Sequence, residues 1–222
     1  MGQTCHTPVV AGGIAMKPLD QVVRDCIAPV LKESGFKKTG RLFTLERPDG
    51  NRAHVNVHPY RLGMNDAEFF LDLHIQPKIW RDLQERIGQQ TYVGMWSSRL
   101  GPPNGKVGGS NELWRIDLGD KAAASELSQT IKSALPNFLQ YLDVQVLADY
   151  VRNPADVLGK VRGEPERALA LLLATQGPSA ELDATLASLE QQVALQNGLT
   201  GVELAAFLRT WAFEHPATAS AG

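Results

Sequence analysis

The chain has 222 residues, 43% of them hydrophobic and 21% charged, with a formal net charge of −2. Those values suit a globular protein that buries its core in one large domain or two small ones. They exclude a chain that is basic overall, and with it the simplest electrostatic case for a nucleic-acid binder.

Residues 1–16 read as a flexible N-terminal tail, with Met16 as an alternative start. An α+β domain is expected over 17–143. Leu19, Val22, Val23, Cys26, Ile27, Val30 and Leu31 recur with helical spacing and make one apolar stripe. Pro18 suits a first helical turn, and Pro29 inside the pattern should kink the helix. Gly35 suits the left-handed position after a helix end, with Phe36 folding back as a hydrophobic contact.

Period-two alternation follows. Arg41–Arg47 reads as a first strand, Pro48-Asp-Gly-Asn51 as a turn, Arg52–Tyr60 as a second strand and Glu68–Gln76 as a third. Their short separations favour antiparallel hairpins, since parallel neighbours need a long crossover. A helix is expected from near Pro77 to Arg86-Ile-Gly88, with Arg86 as an ion-pair residue. Gly101–Ser110 is glycine-rich but lacks the strand–loop–helix context of a phosphate cradle, and reads as a mobile loop. Trp80, Trp96 and Trp114 bracket it; an exposed one would suggest recognition. After this irregular stretch come a fourth strand, Leu113–Asp117, a cap at Asp120 and a helix burying Leu127, Ile131, Leu135, Phe138 and Leu142. Pro136 should bend that helix.

A helical extension is expected over 144–216, Ala- and Leu-rich and without a strand pattern. Glu164-Pro-Glu166 opens one helix, Ser179 caps a second running to about Gln196, and Thr200-Gly-Val-Glu203 has capping-box spacing for a third. Residues 217–222 read as a disordered tail. The short connections fit antiparallel helices, either a small separate bundle or a layer on the sheet domain, the latter favoured because so small a bundle has little core of its own.

The order helix, three strands, variable region, strand, helix implies an antiparallel sheet of about four strands with helices on one face. The segment from about Leu19 to Asp143 resembles the family known as domain of unknown function 4304. The matching residues are Pro29-Val-Leu-Lys-Glu-Ser-Gly-Phe-Lys-Lys38, Phe43, Val55-Asn-Val57, Arg86-Ile-Gly88 and Trp114. The resemblance implies a fold and brings no activity, cofactor or catalytic residue with it.

Cys5 and Cys26 make no disulfide framework; reduced cysteines of a cytoplasmic protein are a simpler reading than a single bridge. The longest aliphatic run, Ala168–Ala174, is far short of the roughly 20 apolar residues of a membrane span. Charge is uneven. Between Lys32 and Arg61 there are seven bases and three acids, and from Asp143 onward ten acids and five bases. Either the acidic tail complements the first hairpin, or these are simply solvated faces, or the basic hairpin faces an acidic partner or nucleic acid.

The sharpest chemical grouping lies on the second hairpin. His54, Asn56 and His58 share one face of their strand, and Glu68, Phe70, Asp72 and His74 share one face of the next. Pairing around Gly63–Met64 would set His54 opposite His74 and Asn56 opposite Asp72. His54 and His58 cannot share a metal, being about 13 Å apart along a strand. A metal or acid–base site would need His54, Asp72 and His74 together. The bland alternative is a solvated sheet face. No dinucleotide fingerprint, paired CxxC or HExxH is present, and no cofactor, metal or catalytic residue is expected.

The leading expectation is a cytoplasmic, bacterial, non-enzymatic protein-binding domain of adaptor or immunity-like type. It would use the open sheet face, with His54, Asn56, His58, Asp72 and His74, and the 94–112 loop. A metal-dependent or acid–base enzyme on His54, Asp72 and His74 is the alternative, and a nucleic-acid binder comes third.

Overall fold

The computed structural model describes residues 18–62, 66–89, 94–103, 112–154, 159–192 and 199–215. The expected tails at 1–16 and 217–222, Cys5, the hairpin turn at Gly63–Met64 and most of the glycine-rich stretch lie outside the described residues.

The first helical segment comprises α1 (Pro18–Val22), a π turn (Val23–Ile27) and α2 (Ala28–Glu33). The π turn is how the chain absorbs Pro29. In α geometry the proline ring would press on the carbonyl of Asp25 and offer it no N–H. Instead the Ala28 N–H donates to the Val23 carbonyl, one residue further back than an α-helix allows. Gly35 closes the segment at φ +87°: its N–H donates to the Lys32 carbonyl, and the Phe36 N–H donates to that of Leu31. This Schellman stop seats Phe36 in the core. Cys26 is a free thiol whose pKa burial pushes up.

One seven-stranded sheet forms the centre of the molecule: β1 (Lys37–Thr39), β2 (Leu42–Glu46), β3 (Arg52–Leu62), β4 (Asp66–Gln76), β5 (Trp96–Leu100), β6 (Trp114–Asp117) and β7 (Lys160–Val161). Its order is β1-β2-β3-β4-β5-β7, with β6 beside β5 on the same edge of β4, and every pair is antiparallel. The α+β class is as expected, but the sheet is larger than the four strands read from sequence. β1 was hidden because all three residues are exposed and no alternation marks them. β5 corrects the reading of 94–112 as a loop: its inward Trp96, Ser98 and Leu100 alternate with Ser97 and Arg99, a weak signal beside Gly and Pro. β7 corrects the reading of the C-terminal third as free of strands; two residues are too few to show a period.

The apolar sheet face carries Phe43, Ala53, Val55, Val57, Phe69, Leu71, Leu73, Ile75, Trp96 and Trp114, all buried. The segment from α1 to α2 and the helix α4 (Lys121–Leu139) cover it. Asp120 caps α4, accepting from the N–H groups of Ala122 and Ala123. A 3₁₀ turn (Gln140–Leu142) leads to α5 (Val144–Arg152), whose Leu147, Ala148 and Val151 are buried.

Then come α6 (Pro165–Ala174), α7 (Ala180–Glu190, capped by Ser179) and α8 (Gly201–Glu214, with the Thr200–Glu203 capping box). These helices are fastened to the sheet region at several points. Gly159 lies against Trp96, where a Cβ would come within 2.2 Å of the indole. The Tyr150 hydroxyl donates to the Gly159 carbonyl at 2.6 Å, and the Arg162 N–H to that of Met95 at 2.7 Å. The helix α3 (Lys78–Arg86) is held from the other side, since Trp211 Nε1 donates to Asp82 at 3.0 Å. The buried apolar residues from Leu19 to Ala212 form one continuous cluster.

Candidate functional site

The face of the sheet opposite the core is built in rows, because residues paired across antiparallel strands point the same way. The register sets His54 opposite His74 and Asn56 opposite Asp72, as expected, and places Thr44 beside His54 and Ser97 beside His74. One row therefore reads Lys37, Thr44, His54, His74, Ser97, Lys160. His58 pairs with Phe70, one row further out.

The inner part of this face is not open, which corrects the expectation of a uniformly wet surface. His54 is 4% exposed and Gln76 5%. Gln76 Oε1 can only accept, so His54 Nε2, at 3.3 Å, carries the proton, and Nδ1 accepts from the Thr44 hydroxyl at 2.9 Å. Both ring nitrogens of a neutral imidazole are then satisfied. Burial is the main cause holding its pKa below the usual range; Arg52 and Arg81 act the same way, while Gln76 and Glu46 oppose them. His74 is also held low, again first by burial and then by His54 and Arg162, against Asp72. Its Nδ1 is buried without a hydrogen-bond partner.

Asp72 does not orient either histidine. Its carboxylate accepts from Arg99 Nε at 2.9 Å, and that guanidinium also lies 3.8 Å from Glu112 and 4.2 Å above the Phe70 ring. Among the described residues no three His, Cys, Asp or Glu side chains are placed to hold a metal. The register thus brings His54, His74 and Asp72 into adjacent rows without joining them chemically.

The outer part is different. Asn56 is half-buried and His58 exposed. The register of β3 and β4 shifts between Pro59 and Arg61, a β-bulge that inserts Tyr60 as an extra residue. Tyr60 is 57% exposed, with its ring edge-on to Phe70 at 5.7 Å and the Arg61 guanidinium 5.8 Å above it. Sequence reasoning named neither Tyr60 nor Arg99 as site residues. The available signal was Pro59, since proline inside a strand marks an edge or a bulge.

Beside this patch, β5 and β6 run end to end along the same edge of β4. Trp114 Nε1 donates to the Leu100 carbonyl at 2.8 Å and holds the two ends together. Trp80, Trp96 and Trp114 are all buried and anchor the core. A 330 Å³ groove between α2 and α4, lined by Val30, Glu33, Lys132 and Pro136, lies on the helical side, away from these residues.

Fold and site together define an antiparallel α+β domain extended by helices, with a polar sheet face that is part covered and part open. The chain belongs to the family described as Domain of unknown function (DUF4304), which matches residues 27–141, just over half of its length. That span covers the sheet from β1 to β6 with α2, α3 and α4, so α5 to α8 lie beyond it. No curated protein and no solved structure matches the chain. Among the described residues no helix is long and apolar enough to cross a membrane.

Proposed function

We propose that this protein is a non-enzymatic binding domain of adaptor or immunity-like type, docking a protein partner on the outer part of the polar sheet face. The observation that carries this reading is Tyr60, which a bulge lifts into solvent beside Phe70, Arg99 and His58. Aromatic and arginine side chains dominate binding hot spots because they bury large areas with few rotatable bonds. Here Phe70 and the Arg99–Asp72 pair already fix the Tyr60 neighbourhood, so little order has to be imposed on binding. Arg99 and Glu112, at the two ends of the segment between β5 and β6, extend the surface toward the 94–112 region. A cytoplasmic setting in a bacterium fits such a role.

The acid–base alternative has less support. His54 has both nitrogens engaged, and Asp72 is committed to Arg99. A general base must reach a substrate proton within about 3 Å, and His54 is buried.

The test is affinity capture from the native lysate with the tagged protein, a His58→Ala/Tyr60→Ala variant and a His54→Ala/Asp72→Ala/His74→Ala variant. The reading expects one stoichiometric protein partner, lost in the first variant. Capture that survives His58→Ala/Tyr60→Ala would refute it.

A further inference from the structure

The outer edge of β5 is filled by a segment from beyond the family span. That span ends at residue 141, and β7, which pairs Val161 with Trp96 and Lys160 with Ser97, comes from the C-terminal extension. The contact has the form of strand addition, in which main-chain bonds hold an extended segment on a sheet edge and alternate side chains enter the packing. The Arg162 N–H donates to the Met95 carbonyl at 2.7 Å. Val161 packs partly buried against the core, while Lys160 and Arg162 are exposed.

Gly159 sets the fit. A Cβ there would stand 2.2 Å from the Trp96 ring and 2.4 Å from its Nε1, so the seat on the indole takes a residue without a side chain. Tyr150 holds the main chain in place, its hydroxyl donating to the Gly159 carbonyl at 2.6 Å. The Tyr150 ring stands edge-on to Trp96 at 6.5 Å and to Tyr141 at 5.3 Å, and Tyr141 lies 4.8 Å from Trp96. The occupant is thus read as glycine on the indole, an exposed residue, then valine against the core.

The cis segment does not use all that the edge offers. Trp96 is 2% exposed, and its Nε1, beside the Gly159 seat, is buried without a hydrogen-bond partner. An unmet buried donor is a cost that a better-placed acceptor removes. β7 is two residues long, whereas β5 has five, and β6 continues the same edge of β4 with four more. Among the described residues no other strand pairs with the outer side of β5 or β6. A longer strand laid here would make main-chain bonds that β7 does not. A cover that only blunts an edge needs no glycine-specific seat on a tryptophan.

We infer that the outer edge of β5 is a strand-addition site for an extended peptide with a Gly-x-Val pattern, and that residues 159–162 close it in cis until such a peptide displaces them. The site lies on the sheet edge and stands independently of the surface at Tyr60. While the cis segment is seated, the apparent affinity for a peptide is reduced to the fraction of molecules with an open edge.

The experiment uses the isotope-labelled full chain, native and Gly159→Val, whose added side chain cannot stand against the indole. The probe is a synthetic peptide with the sequence of residues 157–162, alongside the same peptide with valine at its glycine. The readouts are the Trp96 indole N–H and the Met95 and Ser97 amide resonances. The first peptide should move these signals in Gly159→Val toward their native positions, binding at least about tenfold more tightly than to the native chain. The valine peptide should move none of them. A thermal melt verifies the fold. Tyr150→Phe, which removes only the hydroxyl on the Gly159 carbonyl, should give the same ranking with a smaller effect, and it carries the test if Gly159→Val does not fold. No shift in a folded variant at millimolar peptide, equal affinity for native and variant chains, or equal shifts from the valine peptide would each overturn the inference.

Discussion

His54 and His58 project from the same face of β3, yet His54 is 4% exposed and bonded at both nitrogens, while His58 stands in solvent beside Tyr60. Strand alternation gave both the same standing; packing separated them. Around His54 the sheet's own side chains, Thr44 and Gln76, supply every partner the ring needs. Around His58 the bulge at Tyr60 and the Arg99–Phe70 stack hold polar and aromatic groups outward. The lesson is that one polar face can be packed structure at one end and open surface at the other.

The apolar side beneath both parts should show no such contrast. Phe69→Ala under the outer part and Trp96→Ala under the inner part should each cost about 3–5 kcal/mol in a denaturant melt, as large-to-small core changes do. Both residues are buried. A loss under 1 kcal/mol at Phe69 would mean that the outer part lacks a core of its own. Gly159→Ala comes next. Its new methyl must displace the Trp96 ring, so a cost of about 1–3 kcal/mol is expected, through the inner part alone. An unchanged melt would show that the segment does not seat on Trp96.

Acid should act on the inner part next. Both His54 and His74 are held below the usual imidazole range, chiefly by burial. Well above about pH 6.5 neither the folded nor the unfolded chain binds these protons, and no linkage arises. As pH falls through that value the unfolded chain takes up protons that the folded chain resists, so stability declines toward the folded-state pKa values. Melting temperature should therefore drop on acidification, and the drop should flatten in a His54→Gln/His74→Gln variant. An equally steep profile in that variant would assign the effect to other groups. Smallest in stability is Tyr60→Ala, expected within about 0.5 kcal/mol of the native protein because the ring is largely solvated. The same change should weaken partner binding by about 1–2 kcal/mol, read by calorimetry once the partner is in hand.

Local chemistry was well written in the sequence. Gly35, Asp120, Ser179 and the Thr200–Glu203 pair end or cap helices as their residue types dictate. The cross-strand match of His54 with His74 followed from alternation and a short turn. What stayed hidden depends on distant parts of the chain. β7 exists because Val161 and Lys160 meet Trp96 and Ser97, a pairing that two residues cannot announce. Helix α5 does carry a local signal, an Asp143 cap before Leu147, Ala148 and Val151. The burial of His54 could not be read from spacing, since period two tells which face a residue takes and says nothing of what covers that face. Tyr60 was hidden by the bulge, which breaks the very alternation used to sort the strand.

The division of the polar face can be measured through the histidines themselves. Diethylpyrocarbonate modifies accessible neutral imidazoles, and peptide mass spectrometry resolves each site. At neutral pH, His58 should be modified rapidly, the half-buried His74 more slowly, and His54 should stay protected until the protein unfolds. Modification of His54 or His74 at the rate of His58 would mean that the inner part is open, and would contradict the account.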